Sequence, residues 1–293
     1  MLLSILLVAV PLFQGERKMQ MFTWIGHDVT QAFAEWANNL GFSDVVVRYG
    51  TNDQNSYNNL ALYGITFWRW VGGGLGESGW TVQDYVNRIT LEISLSPSGN
   101  IYIDDCDAIY NIHGSQAFQN FLDAVRQIQN NNVILCFYAS SQTTHYHGLY
   151  DFAQLVNLSD FNVDVYHPPT TDLAPLLTRI KPKTLGLYLW CWTGSSPYDV
   201  VGHNWETITN DLVNKKFNEA RIHNLERMAV WMGHETETVE TGMNQASLYN
   251  YSYWWEIIKK LNFNVIPEVV WLLLLGGISI TTIIFLLKHY KFI

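Results

Sequence analysis

The chain has 293 residues, 48% of them hydrophobic, and only 15% are charged, against about 25% in an ordinary soluble domain. The net charge of −9 and the lack of any basic cluster argue against nucleic acid as a partner, because phosphate recognition needs grouped Lys and Arg. Twelve Trp and sixteen Tyr suit a carbohydrate or glycan partner instead: sugar C–H faces stack on rings, while polar side chains meet the hydroxyls.

Residues 2–13 are apolar, too short to span a bilayer and matched in length to the core of a signal peptide. The flanks fit less well. No Lys or Arg precedes the stretch, and Arg17 and Lys18 follow it. The expectation is a secretory segment over residues 1–18. Eight short apolar runs then follow, at 21–26, 45–49, 64–70, 100–105, 133–139, 163–167, 185–192 and 228–233. Helix-period stretches separate them. The segment 29–40 carries Val29, Phe33, Trp36 and Leu40 on one stripe, 116–129 carries Phe118, Phe121, Leu122 and Val125, and 204–223 and 244–261 repeat the pattern. Strands alternating with helices form βαβ units with a parallel sheet. Eight such units over residues 19–263 predict a (β/α)8 TIM barrel, a fold of about 250 residues. Polar segments at 50–63, 72–76, 140–149 and 193–203 are expected as long loops on the face where barrel chemistry resides.

Beyond the barrel, residues 269–287 are an uncharged run of 19, close to the roughly 20 a membrane helix needs. Lys288, His289 and Lys291 follow, so the positive-inside rule places the tail in the cytoplasm. Residues 264–293 are therefore expected to be a C-terminal transmembrane helix with a short basic tail, and the barrel to lie outside the cell or on an envelope. Sequons at Asn157 and Asn250 are compatible with export. Cys106, Cys136 and Cys191 lie in or beside strands and, being odd in number, read as buried apolar residues.

The fourth run ends Ile101-Tyr102-Ile103-Asp104-Asp105-Cys106-Asp107. Ile101 and Ile103 share one face of the strand, and Tyr102 and Asp104 the other. With the isoleucines against the helices, Asp104 points into the barrel mouth. Asp105 or Asp107 could cap the next helix, but a cap does not account for three carboxylates at one strand exit. Asp104 leads the catalytic candidates, with Asp107 and Asp105 behind it. Glycoside hydrolysis needs a second carboxyl. Glu235 follows the eighth run directly, in a loop that Glu237 and Glu240 also make acidic. Asp28, after the first run, reads as a helix cap or a substrate contact.

Aromatic residues gather near the strand exits. Trp24, Trp68, Tyr138, Trp190, Trp192 and Trp231 are candidate stacking platforms, and Trp70 and Tyr166 stand beside them. Alternation along each strand must send part of this set into the core. Arg48 and Arg69, in or beside strands, must each find an anion, either Asp104 or Asp105 across the mouth or an acidic sugar. His167 and His234 are candidate hydroxyl contacts. Histidines at 27, 113, 145, 147, 167, 203 and 234 also raise a metal-hydrolase reading with Asp104 and Asp105. The sequence contains no H-E-x-x-H and no H-x-H on the first strand, so no metal and no cofactor is expected.

The aromatic-aliphatic-Asp-x-x-Asp ending of the fourth run resembles the glycoside hydrolase barrels similar to α-galactosidases and polygalactosaminidase-like proteins. That resemblance implies a nucleophile at Asp104. The D-x-x-D-x-D-x-E motif of chitinase-like barrels is not met, because Ile109 stands at its last position. The expectation is a membrane-anchored extracellular glycosidase with Asp104 as nucleophile or base and Glu235 as acid. A non-catalytic glycan-binding or envelope barrel is the alternative, and a metal-dependent hydrolase the third reading.

Overall fold

The computed structural model describes residues 20–26, 28–48, 50–72, 74–128, 132–138, 157–166, 174–193 and 226–234, with backbone alone at 166, 174, 177, 187–193 and 229–234. Each of the eight apolar runs forms a strand: β1 Gln20–Ile25, β2 Asp44–Val47, β3 Thr66–Val71, β4 Ile101–Ile103, β5 Val133–Tyr138, β6 Asn162–Tyr166, β7 Thr184–Thr193 and β8 Arg227–His234. Every strand pairs in parallel with the next, and β8 pairs with β1, which closes the barrel. The described helices are α1 Gln31–Asn39, α2 Asp53–Ala61, α3 Val82–Leu95, α4 Asp107–Ile128 and α5 Ala174–Ile180. They belong to the compact unit Met19–Lys259.

Local chemistry sets the helix starts. The Thr30 side chain accepts from the Phe33 amide and caps α1, which buries Phe33, Ala34 and Ala37. The cap expected at Asp28 is therefore at Thr30. At α3, Thr81 and Asp84 form a reciprocal capping box, and the helix buries Tyr85, Ile89 and Glu92. The segment 50–63, read as a loop, contains α2. Only Ser56 and Leu60 of that helix are buried, and its start comes from the Asn52 side chain accepting from the Asn55 amide. A helix with so narrow an apolar stripe leaves little periodic signal. The helix expected from residue 116 begins at Asp107 and bends at Gly114, whose φ is +84°.

Register decides what enters the barrel. Phe22, Trp24, Trp68 and Tyr102 face inward. Trp24 meets Tyr102 edge-on with centroids 5.1 Å apart, and Phe22 lies 5.7 Å from Trp68. The N-terminal half of the interior is polar. Arg227 Nε donates to Asp164 Oδ1 at 2.9 Å, and the Tyr102 hydroxyl donates to Asp164 Oδ2 at 3.1 Å. Arg227 also donates to the Thr184 hydroxyl at 2.6 Å and the Val163 carbonyl at 3.1 Å. Gly186 is required here, since a β-carbon would overlap the Asp164 carboxylate. Beside this group Asp44 accepts from the Trp68 indole at 2.8 Å and the Ser43 hydroxyl at 2.6 Å. Burial pushes the Asp44 carboxyl above its ordinary value.

No helix among the described residues is long and apolar enough to cross a membrane. The expected transmembrane run 269–287 and the N-terminal segment 1–18 lie outside the described residues.

Candidate active site at the barrel mouth

The site is built on the C-terminal end of β4. Asp104 continues the strand geometry, its amide donating to the Val71 carbonyl at 2.9 Å, so its side chain follows Tyr102 toward the interior. The chain then turns sharply. Asp105 takes φ +48°, in the left-handed region that Asp tolerates better than most residues. The Ala108 amide returns to the Asp105 carbonyl at 2.8 Å, which starts α4. Asp107, fully buried, reaches across to β5, where its Oδ1 accepts from the Tyr138 amide at 2.8 Å. This bond ties the first turn of α4 to the β5 exit and fixes the turn that presents Asp104.

Trp70, at the end of β3, donates its indole N–H to Asp104 Oδ2 at 3.1 Å. Arg48, just past β2, lays its guanidinium 4.5 Å from the Trp70 ring centroid, a cation–π arrangement. Asp104 thus has two neutral donors at its carboxylate, the Trp70 indole and the Asp105 backbone amide, and a positive charge held nearby on an aromatic ring. Its carboxyl is pushed up from 3.8 to about 7: burial contributes most and the neighbouring Asp105 carboxylate adds to it, while Trp70, Arg48 and the Asp105 backbone oppose the shift. A carboxyl with this value holds a proton through mildly acidic pH and exchanges it near neutrality. That is the property a general acid needs.

The other residues singled out in the sequence divide around this centre. Arg48 is at the mouth. Arg69 is not, because it faces the helices with Ile101 as its register partner. Its anions are Asp53 on α2 and Glu92 on α3. The expected pairing of Arg69 with Asp104 or Asp105 is therefore replaced by an ion pair in the helix layer. Trp68 lies one layer too deep to stack on a ligand, with its N–H on Asp44. Trp24 is equally deep, 2% exposed against Tyr102. Tyr138, also 2% exposed, is part of the barrel wall.

Asp28 is near the rim and holds two loops together. Its Oδ1 accepts from the amides of Thr51 and Asn52, both at 2.8 Å, and its Oδ2 accepts from the Thr51 hydroxyl at 2.6 Å. Trp190 and Trp231 are register partners on β7 and β8, Trp192 pairs with Gly233, and His234 pairs with Thr193. The side chains of these four residues, together with Glu235 and His167, lie outside the described residues. Cys106 and Cys136 are buried free thiols, which burial pushes well above their usual value. No group of three or more His, Cys, Asp and Glu able to hold a metal is assembled among the described residues.

In the sequence Trp70 reads only as one of the strand-exit aromatics, not as the donor to Asp104. Strand parity placed it beside Asp104 on the inner face, and that signal was available. The partners of Arg69 and the Arg227–Asp164 pair come from distant segments and left no local trace.

No protein-family model matches the sequence, and no curated protein matches it. Solved structures do match in shape. A GH113 β-1,4-mannanase superposes with a TM-score of 0.51 at 9% identity, covering 84% of this chain and 98% of its own. A GH5-4 endoglucanase from Clostridium longisporum gives 0.45 at 13% identity, over 81% of this chain and 86% of its own. An HpcH/HpaI aldolase from Desulfitobacterium hafniense DCB-2 gives 0.38 at 10% identity, over 81% and 91%. At this identity the likeness to the mannanase shows the fold alone, a (β/α)8 barrel.

Proposed function

We propose that this chain is a glycoside hydrolase whose proton-transfer group is Asp104. The observation that carries the reading is a carboxyl at the barrel mouth set beside the Asp105 carboxyl, the indole N–H of Trp70 and the cation of Arg48, where burial and Asp105 push its pKa up to about 7. In the reaction, Asp104 gives its proton to the glycosidic oxygen as the bond from that oxygen to the anomeric carbon breaks. A second carboxylate must then activate water or attack the anomeric carbon. Glu235, immediately after the last residue of β8, is our candidate for that role.

The raised value of Asp104 favours the acid role for it over nucleophile or base, which leaves the ionised role to Glu235. We assign Asp105 the part of raising the Asp104 value and Asp107 the part of holding the turn. Arg48 is proposed to stabilise the carboxylate once the proton has left. Trp190, Trp192, Trp231, His167 and His234 remain proposed contacts to the glycan. The finer resemblance to α-galactosidases rests on the 101–107 motif alone. A C-terminal membrane anchor and an external barrel are proposed from residues 269–287 and the basic tail.

The test is sugar release by the full chain on a glycan panel, with Asp104→Asn alongside. The panel includes β-1,4-mannan, because a barrel of this fold is named for acting on it. The expected result is release that falls at least about a hundredfold in the variant, the lower end of what general acid catalysis contributes. Glycan binding without release in both proteins would move the assignment to a binding barrel.

A further inference from the structure

Outside the mouth, on the helix side of β3, a cavity of about 550 Å³ opens between α2, α3 and the loop that follows β3. Its size lies within the roughly 300–1,000 Å³ typical of ligand pockets. Arg69 forms its floor, with Nε 3.2 Å from Glu92 Oε2 and a second guanidinium nitrogen on Asp53. Arg88, on the next turn of α3, reaches Glu92 Oε1 at 2.6 Å. Two guanidiniums and two carboxylates so arranged cancel one another. They line the cavity with donors and acceptors held in place, and both cations are already engaged by carboxylates. Glu77 adds one exposed carboxylate among the lining residues, which disfavours an anionic ligand.

Trp80 supplies an aromatic wall, and Trp70, whose ring turns inward to Asp104 and Arg48, borders the cavity on the barrel side. Trp80 is fixed by edge-on packing on Tyr85, with centroids 5.2 Å apart, and its carbonyl accepts from the Asn120 amide group at 2.9 Å. The loop closes down at Gly76, whose φ is +118° and where a β-carbon would stand 2.7 Å from the Tyr85 hydroxyl. Only glycine allows that approach. Preset polar groups of balanced charge, flanked by an indole, are what a neutral sugar ring requires: its hydroxyls need paired donors and acceptors, and its C–H face needs an aromatic surface.

We propose that this lateral cavity is a carbohydrate site that takes a neutral sugar unit against Trp80. Trp70 also donates to Asp104, so a glycan seated in the cavity reaches the mouth across a single side chain. That link rests on the glycosidase reading. The cavity's own specificity does not.

The experiment titrates neutral di- to hexasaccharides, and the matching uronic-acid oligosaccharides, into the full chain carrying Asp104→Asn, so that turnover does not consume the ligand. Neutral oligosaccharides are expected to bind, and uronic-acid ones not. Trp80→Ala is expected to weaken binding about tenfold, the loss of roughly 1.4 kcal/mol of stacking. Arg88→Gln, a half-exposed position whose change leaves the core intact, is expected to weaken it in the same direction. Affinity within about twofold of the parent in both variants, preference for the charged sugars, or no sugar binding at all would each overturn the proposal. Sugar release by wild type, lost in Asp104→Asn while binding ignores Trp80 and Arg88, would leave the glycosidase standing and the lateral site refuted. Trp80-dependent binding without any release would do the reverse.

Discussion

Two carboxylates inside one barrel, Asp164 near the N-terminal end and Asp104 at the mouth, are built from similar parts and end in opposite conditions. Each lies near an arginine and an aromatic donor. Asp164 has both oxygens taken, one by Arg227 Nε at 2.9 Å and the other by the Tyr102 hydroxyl at 3.1 Å. The guanidinium near Asp104 instead rests on the Trp70 ring, and the carboxyl beside Asp104 repels it. The lower carboxylate is paired on both oxygens and ties β4, β6 and β8 together. The upper one is buried with Asp105 beside it and no cation bonded to it among the described residues, and its pKa is pushed up to about 7.

The sharpest way to break this contrast is to disturb each half and compare the sign of the stability change. Arg227→Met leaves Asp164 buried without its cation and is expected to destabilise the chain by about 3–5 kcal/mol, read as a lowered denaturant midpoint. An unchanged midpoint would mean the lower pair is not structural. Asp104→Asn is expected to act the other way. The folded-state pKa of Asp104, about 7, lies above its unfolded value of 3.8. Between those values the folded chain therefore binds more protons, and stability falls as pH rises. Removing the charge should raise the melting temperature at pH 8, by no more than about 3 kcal/mol of stability given the partial exposure. The gain should fade toward pH 4, and a melting temperature lowered equally at both pH values would count against it.

Smaller effects should sharpen the account at the mouth itself. Trp70→Phe removes a donor that favours the ionised form, so the Asp104 value should rise. Asp105→Asn removes the repelling carboxylate while tolerating the left-handed backbone, so the value should fall. Movement of both variants in one direction, followed in the pH dependence of kcat/KM, would show that the stated causes are wrong.

The two halves were not equally legible in the sequence. Period-two alternation in short apolar runs gave all eight strands and aimed Asp104 inward, because a strand's side-chain parity is a local property. The same parity places Arg69 outward with Ile101 and Ile103, and following it through would have removed Arg69 from the mouth. Depth was the harder quantity. Trp24 and Trp68 have the right parity but sit one layer below the exit, and layer depends on the shear between strands, which no single strand encodes. Helix α2 escaped notice because its sequence is polar and its start depends on the Asn52 cap and on Asp28, which is distant in sequence. The Arg227–Asp164 pair joins residues 63 apart in sequence, a distance over which pattern reading has no purchase.

The central claim is that Asp104 delivers a proton at the barrel mouth, and the pH dependence of kcat/KM for glycan hydrolysis by the full chain tests it most directly. The free protein's acid must be protonated to act, so activity should fall with rising pH along a limb centred at about 7. A rate that stays flat through neutrality, or that rises there, would contradict the account.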